Sequence, residues 1–326
     1  MKNVASERDY PWAKRGWRFL GLALVVVLLT VLGQLLHSRW QELPAQVLAP
    51  NWSRLAGAVL MLLGSSAMSA LQWRRIVIVL GHKLSVIEAI YIHFFVQAGK
   101  YLPGRVMLVV GKVMLAARQG LPVQGATASV IYEQVLFLMS GAWSVLLFTS
   151  LASADVIGRH RPIVLAVFLA GFALLHPAVI GQILRAVRWV SQSEIVVPAL
   201  SYRATLGLLV GYCVPWLISG GAFYLFVTAL APLGLRLLPD MAAVFGLAGV
   251  LGLVSVFAPA GLGVREAVLT ALLSVYFSLP VGVAIALAFR LATTLVDGIA
   301  LLCAIGLQPQ CHRLARVADR GDEHTS

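Results

Sequence analysis

GKYLPGRVMLVVGKVMLAARQGLPV, residues 99–123, and VFAPAGLGVREAVLTALLSVYFSLPV, residues 256–281, follow one pattern. Each sets a Pro/Gly break beside positive charge: Pro103-Gly104 with Lys100 and Arg105, and Pro259 through Gly261 to Gly263 with Arg265. Each continues as a short apolar helix and reaches Leu-Pro-Val, at Leu121-Pro122-Val123 and at Leu279-Pro280-Val281. A long apolar segment follows both times. Proline removes a backbone donor and glycine admits conformations closed to other residues, so both breaks interrupt helix. A broken, charged hairpin that occurs twice in a very hydrophobic chain is how many transporters build a site at mid-membrane depth.

The surrounding composition fixes the solvent. The chain has 326 residues, of which 60% are hydrophobic and 12% charged; its mean hydropathy is +0.89. Soluble domains carry about 25% charged residues, and several windows here exceed the roughly 18 apolar residues that mark a membrane helix. An all-α, polytopic membrane protein is expected. The net charge of +12 is read as basic loops beside anionic lipid, because the Lys and Arg residues flank apolar segments; no nucleic-acid partner is expected. The three cysteines, Cys213, Cys303 and Cys311, lack metal or redox spacing, and Cys213 and Cys303 read as small core residues. No cofactor and no metal are expected.

Taken in order, the chain reads as about six full spans and two re-entrant helical hairpins. Full spans are expected at residues 17–36, 54–73, 123–151, 163–184, 204–230 and 281–307. The apolar run of the first is too long for a cleaved signal and is expected to remain. The pieces at 86–98 and 106–117 hold about a dozen residues each, against the roughly 20 needed to cross, so they form the first hairpin. Residues 241–257 and 266–277 form the second. Three full spans separate the hairpins, which places them on opposite sides and makes repeat one (86–151) and repeat two (241–307) inverted copies within a single membrane domain, 1–326. Lys and Arg near the tails and in alternate loops put both termini in the cytoplasm. The stretch Gly64-Ser65-Ser66-Ala67, with Ser69 and Ala70, reads as a face for close helix packing. Pro215 and Gly220-Gly221 read as a kinked or thinned part of the fifth span.

Charges inside these segments are the candidate site. Helices restart at about Arg105 and Val264, and their free N–H groups would point toward the membrane centre. Lys100, Arg105 and Arg265 add full positive charge, a setting that suits phosphate; the competing reading has them snorkel to an interface or pair with Glu133 or Glu266. Arg290 and Asp297 lie seven residues apart on one helical face. With Glu133 they either serve transport or hold the halves together as structural ion pairs. Lys112 reads as lying toward the cytoplasmic surface. His93 and His176 read as packing residues, and Glu88 lies on the entering arm of the first hairpin.

The run Pro259-Ala260-Gly261-Leu262-Gly263-Val264-Arg265-Glu266 resembles the P-x-G-x-G-x-x-E signature of the lysylphosphatidylglycerol synthase/flippase transmembrane family. Residues 99–105 resemble its first Pro-Gly element, and Glu133 stands where the following helix of that family carries a glutamate. The likeness covers roughly residues 19–307. Ala260 replaces a common glycine, and Lys112 stands near where many members have arginine. No aminoacyltransferase domain is recognised, so the resemblance implies the lipid-moving half: a flippase-like protein of the bacterial inner membrane.

The reading is therefore a transporter, not an enzyme, that moves an anionic phospholipid or a polyprenyl-phosphate-linked glycolipid between leaflets. A second copy of the chain is a possible further partner. An enzyme is disfavoured because no paired-carboxylate loop, His/Cys cluster, nucleotide-binding glycine loop or Ser/His/Asp set is recognisable. The alternative is a noncatalytic membrane partner of an envelope glycolipid or polysaccharide synthesis complex. The topology makes a direct prediction. Single cysteines introduced as Pro122→Cys and Pro280→Cys should react with impermeant reagents from opposite faces of the membrane; reaction of both from one face contradicts the inverted repeats.

Overall fold

In lipid every backbone donor and acceptor must be satisfied internally, so a chain this apolar is driven into helix. The computed structural model describes residues 49–101, 106–151, 200–255 and 263–323, a few isolated helical positions besides, and the side chains of the last helix as far as Gln308. The helices are α1 (Trp52–Val79), α2 (Val86–Gln97), α3 (Val106–Arg118), α4 (Val123–Leu151), α5 (Tyr202–Leu230), α6 (Leu238–Val254), α7 (Val264–Leu273) and α8 (Leu279–Glu323). Short 3-10 turns sit at Ala98–Tyr101 and Leu235–Leu237. Among the described residues there is no strand, and five helices are long and apolar enough to cross a membrane: α1, α4, α5, α6 with its preceding turn, and α8. The protein is an all-α polytopic membrane protein. The expected spans at 17–36 and 163–184 lie outside the described residues, as do His176, Arg105 and the break residues Pro103, Gly104, Pro259 and Gly261.

Small residues let α1 and α5 approach closely, antiparallel. Ser65 donates its hydroxyl to the Pro215 carbonyl at 2.8 Å and meets Ser219 at 2.8 Å. A methyl group on Gly57 would meet Leu225 at 3.0 Å, and one on Gly221 would meet Met61 at 3.2 Å. At the far end the Asn51 N–H bonds the Ala229 carbonyl, and Arg54 donates to the Thr228 carbonyl. Without a hydrophobic force between helices in lipid, such close backbone approach supplies the packing. Ser65 of the expected small-residue stretch meets Pro215 and Ser219 of the fifth span in this contact, while Gly64 faces open space. Pro215 sits inside α5, which continues through it.

A second layer forms where α6 meets α4 and α5. Gly246 lies against Val145, Gly141 and Gly249 lie against Trp216, and Gly220 lies against Ala242. Around these contacts Phe223, Phe226, Phe245 and Phe289 join edge-to-face or tilted, with centroids 4.7–5.9 Å apart. This is the preferred geometry of aromatic quadrupoles. It ties α5, α6 and α8 into one core.

The short helices form antiparallel pairs. α2 has 12 residues, α3 has 13 and α7 has 10. At 1.5 Å per residue they reach about 18, 20 and 15 Å, well under the roughly 30 Å of a hydrocarbon core. Ser85 and Glu88 start α2 with a reciprocal cap, bonds of 2.8 and 3.2 Å, which gives Glu88 a structural role. Gly263 starts α7 with φ +83°, a left-handed conformation that glycine adopts without strain. The Tyr276 hydroxyl donates to buried Asp240 at 2.8 Å, fastening the end of the α7 segment to the beginning of α6. The two arms of this second pair are unequal: α6 with its turn counts among the candidate spans, whereas α7 does not.

Two helix ends and the burial of one cysteine differ from those expected. α1 extends past residue 73 to Val79 because Arg74 and Arg75 do not end it; Arg74 turns back to the Leu84 carbonyl at 2.7 Å and Arg75 to Gln72 at 3.2 Å. α8 continues beyond 307 to Glu323, since the Ala- and Arg-containing stretch keeps high helix propensity. Cys303 is exposed, not part of the core, while Cys213 is half-buried; an outward position in a lipid-facing helix accepts a small apolar side chain equally well.

Candidate functional site

Both short-helix pairs, with α1, α4, α5 and α8, surround an internal cavity of about 280 Å³. Four cations line it: Lys100, Lys112, Arg265 and Arg290. Two carboxylates, Glu133 and Asp297, line it as well. Among the described residues the wall thus carries more positive than negative charge.

One pole is closed upon itself. Lys112 is 1% exposed, although it sits at the middle of a 13-residue apolar helix. Its Nζ lies 2.6 and 2.7 Å from the two carboxylate oxygens of Glu133 and 3.1 Å from His93 Nδ1. It also sits 4.2 Å from the centroid of the Trp73 ring. An ammonium group has three donors and no acceptor, so those three contacts use it fully. His93 Nδ1 facing an ammonium must accept, which puts the neutral ring's proton on Nε2; the Gln97 amide, 3.0 Å away, accepts that proton with its oxygen turned toward the ring, the amide O and N being exchanged. Trp73 is fixed in turn by its Nε1–H bond to Ser129 at 3.1 Å.

The other pole is more open. Lys100, on the 3-10 turn after α2, reaches across to Asp297 on α8 at 2.7 Å, with its side chain still 27% exposed. Arg290 lies 3.5 Å from Glu266. The other Glu266 oxygen accepts the Gly263 N–H at 2.7 Å, so this carboxylate both starts α7 and holds Arg290. The Arg265 guanidinium sits 5.3 and 5.5 Å from the Phe245 and Phe289 ring centroids, within cation–π reach. Gly252 makes room for it: a methyl there would come within 3.2 Å of Arg265 Cβ.

The structure therefore brings Lys100, Arg265, Arg290, Asp297 and Glu133 to one cavity, with Glu266 behind Arg290. Glu133 pairs with Lys112, not with the hairpin-tip cations. Three residues go beyond the sequence reading. Lys112 is buried, not surface-directed; its position mid-helix, remote from either end to which it could snorkel, was the available signal. His93 does more than pack, and Gln97 one turn later shares its face. The Ser65, Ser69 and Ser219 hydroxyls also line the cavity.

The helices and the charged interior define a polytopic membrane protein with a partly open, charge-lined cavity within its bundle. The chain belongs to the lysylphosphatidylglycerol synthase transmembrane-region family, whose sequence profile matches residues 18–300. No curated protein matches it.

The Lys112–Glu133 contact predicts a sign. Glu133→Gln leaves a buried ammonium without its counter-charge and should destabilise the protein by about 3–5 kcal/mol, the usual cost of breaking a buried pair from one side. Lys112→Met together with Glu133→Gln should recover much of that loss. Thermal unfolding of the detergent-solubilised variants checks this; a single variant as stable as wild type contradicts it.

Proposed function

We propose that the protein moves an anionic phospholipid or a polyprenyl-phosphate-linked glycolipid between the leaflets of a bacterial inner membrane, with no covalent step. The observation that carries this reading is the internal cavity whose wall holds four cationic side chains against two carboxylates. A phosphate would offset that excess, and arginine offers it a planar, bidentate fork. The start of α7 beside Arg265 adds the positive end of a helix dipole. Membership of the transmembrane-region family supports the lipid-moving half of the reading.

In this account the α2–α3 and α6–α7 pairs are re-entrant hairpins of inverted repeats, with both termini cytoplasmic. The head group enters from one leaflet while its tails remain in lipid. Rocking one repeat against the other then presents the head group to the opposite leaflet, the usual logic of inverted-repeat carriers. The Lys100–Asp297 contact spans the two repeats, so it must break or re-form as they rock.

The test is lipid translocation in reconstituted vesicles. Arg265→Ala should slow movement of an anionic lipid about tenfold or more, as expected from losing charge-assisted hydrogen bonds worth about 1.5–3 kcal/mol. Arg265→Lys should recover part of the rate, and both variants should remain monodisperse. If the folded alanine variant moves lipid at the wild-type rate, the cavity does not carry the function, and a noncatalytic role beside a synthesis complex becomes the better reading.

A further inference from the structure

The closed pole holds a titratable side chain, His93, that the rocking of the two repeats leaves unused. Resting on the anionic-headgroup reading above, we propose that His93, Lys112 and Glu133 together bind one proton. Its uptake and the loading of the anion favour each other, so that a proton gradient across the membrane drives the movement.

The geometry holds two exclusive ways of bonding one carboxylate. Lys112 Nζ sits among three acceptors, the Glu133 oxygens at 2.6 and 2.7 Å and His93 Nδ1 at 3.1 Å. An ammonium hydrogen aimed at Nδ1 needs the lone pair there, so His93 is neutral in this arrangement. The same Nδ1 lies 3.7 Å from Glu133 Oε1. A proton passed from water to that lone pair forms an N–H bond and turns Nδ1 from acceptor into donor. The new N–H repels the ammonium and points at Oε1, about an ångström beyond hydrogen-bond distance. The ring need not turn over, because Nε2–H stays on Gln97 in both states. Lys112 gives up His93 and Oε1, keeps Oε2, and has two hydrogens to present elsewhere.

Those hydrogens turn to the cavity, since His93, Lys112 and Glu133 all line it. Protonation therefore adds one positive charge to the wall and frees lysine donors toward the space an anion would occupy. It also trades an α3–α4 contact for an α2–α4 contact, so the exchange is felt between the arms of the first short-helix pair. Ionisable residues of this kind, buried in a bundle, are the usual material of proton relays.

The surrounding groups couple the two events. From α1 the Trp73 ring faces Nζ and carries no acid–base function. From α5 comes the Tyr212 hydroxyl, buried, without a hydrogen-bond partner and within the field of Glu133. The turn after α2 brings Lys100, whose charge acts on His93. From α8 Asp297 holds Lys100, and Arg290 lines the cavity with Arg265 of α7. Among the described residues α6 presents no ionisable side chain to it. A second cation beside Lys112 is therefore opposed by lysine and arginine while the cavity is empty of anion. An anion among them removes that opposition. By linkage each ligand raises the affinity for the other by the same factor, so proton and head group load together and leave together.

The experiment measures binding of fluorescent phosphatidylglycerol to the protein in phosphatidylcholine nanodiscs. The probe is a phosphodiester whose own charge is constant between about pH 8 and about pH 5, the range in which histidine titrates. Wild type should bind it about tenfold more tightly at the acid end, an ordinary size for coupling between two sites. In His93→Asn, whose amide oxygen still accepts from Lys112, the acid-to-alkaline ratio should fall toward one. Gln97→Glu places a carboxylate against Nε2 and should move the midpoint of the profile up by about one unit. This shift tests the proposal even if the His93 variant fails to fold. In vesicles an imposed pH gradient should speed probe movement, and a protonophore should abolish the gain. Equal wild-type affinity at both ends of the range, a His93→Asn profile like that of wild type, or an unmoved Gln97→Glu midpoint overturns the proton site while the anion site stands. If the probe binds at no pH, the anionic-headgroup reading itself is overturned and the proton coupling falls with it.

Discussion

A cation carried to the centre of a bilayer costs about 3 kcal/mol on insertion scales, and this protein gathers four around one chamber. Much of the described structure follows from holding them there. The carboxylates Glu133, Asp297 and Glu266 each answer one cation, from α4, α8 and α7 respectively. Because the partners lie on different helices, each ion pair also fixes the position of one helix against another. Lys112 joins α3 to α4, Lys100 joins the turn after α2 to α8, and Glu266 joins α7 to α8. Glycines then set the spacing: Gly252 admits Arg265, and Gly141, Gly246 and Gly249 bring α6 onto its neighbours.

The two poles solve the problem differently. Lys112 has its donors consumed by Glu133 and His93 and is 1% exposed. A side chain so completely satisfied offers little to an arriving phosphate, and its role is to pin α3, α4 and α2 together. Lys100 contacts Asp297 at 2.7 Å and remains partly exposed. Arg290 stands at 3.5 Å from its carboxylate, and Arg265 rests against aromatic rings. The Arg290 and Arg265 contacts are longer than the Lys112–Glu133 pair. In the proposed account the second pole, Lys100, Arg265, Arg290 and Asp297, is where a head group would bind.

The legible parts of the sequence were those governed by local pattern. The apolar runs at 123–151 and 204–230 mark α4 and α5 almost to the residue, and the Pro/Gly breaks separate α2 from α3 and α6 from α7. Within the small residues from Gly64 to Ala70, Ser65 meets α5, whereas Gly64 faces open space and Ala67 packs toward α2. Partner choice was not legible, because it is set by tertiary proximity. Nothing in the spacing of Lys112 and Glu133 distinguishes that pairing from one between Glu133 and Arg265. His93 is an isolated histidine in an apolar helix until α3 brings Lys112 within 3.1 Å of it. Asp297 has Arg290 on the same face of its own helix, yet its short contact is with Lys100, nearly two hundred residues earlier.

The central claim is that the cationic pole holds an anionic head group. Native mass spectrometry of the protein released from lipid nanodiscs of mixed composition tests it most directly. The account predicts that wild type retains phosphate-bearing anionic lipid in preference to zwitterionic lipid, and that Lys100→Gln combined with Arg265→Gln loses that lipid while staying folded. Retention of zwitterionic lipid in preference, or equal retention of anionic lipid by the double variant, would contradict it.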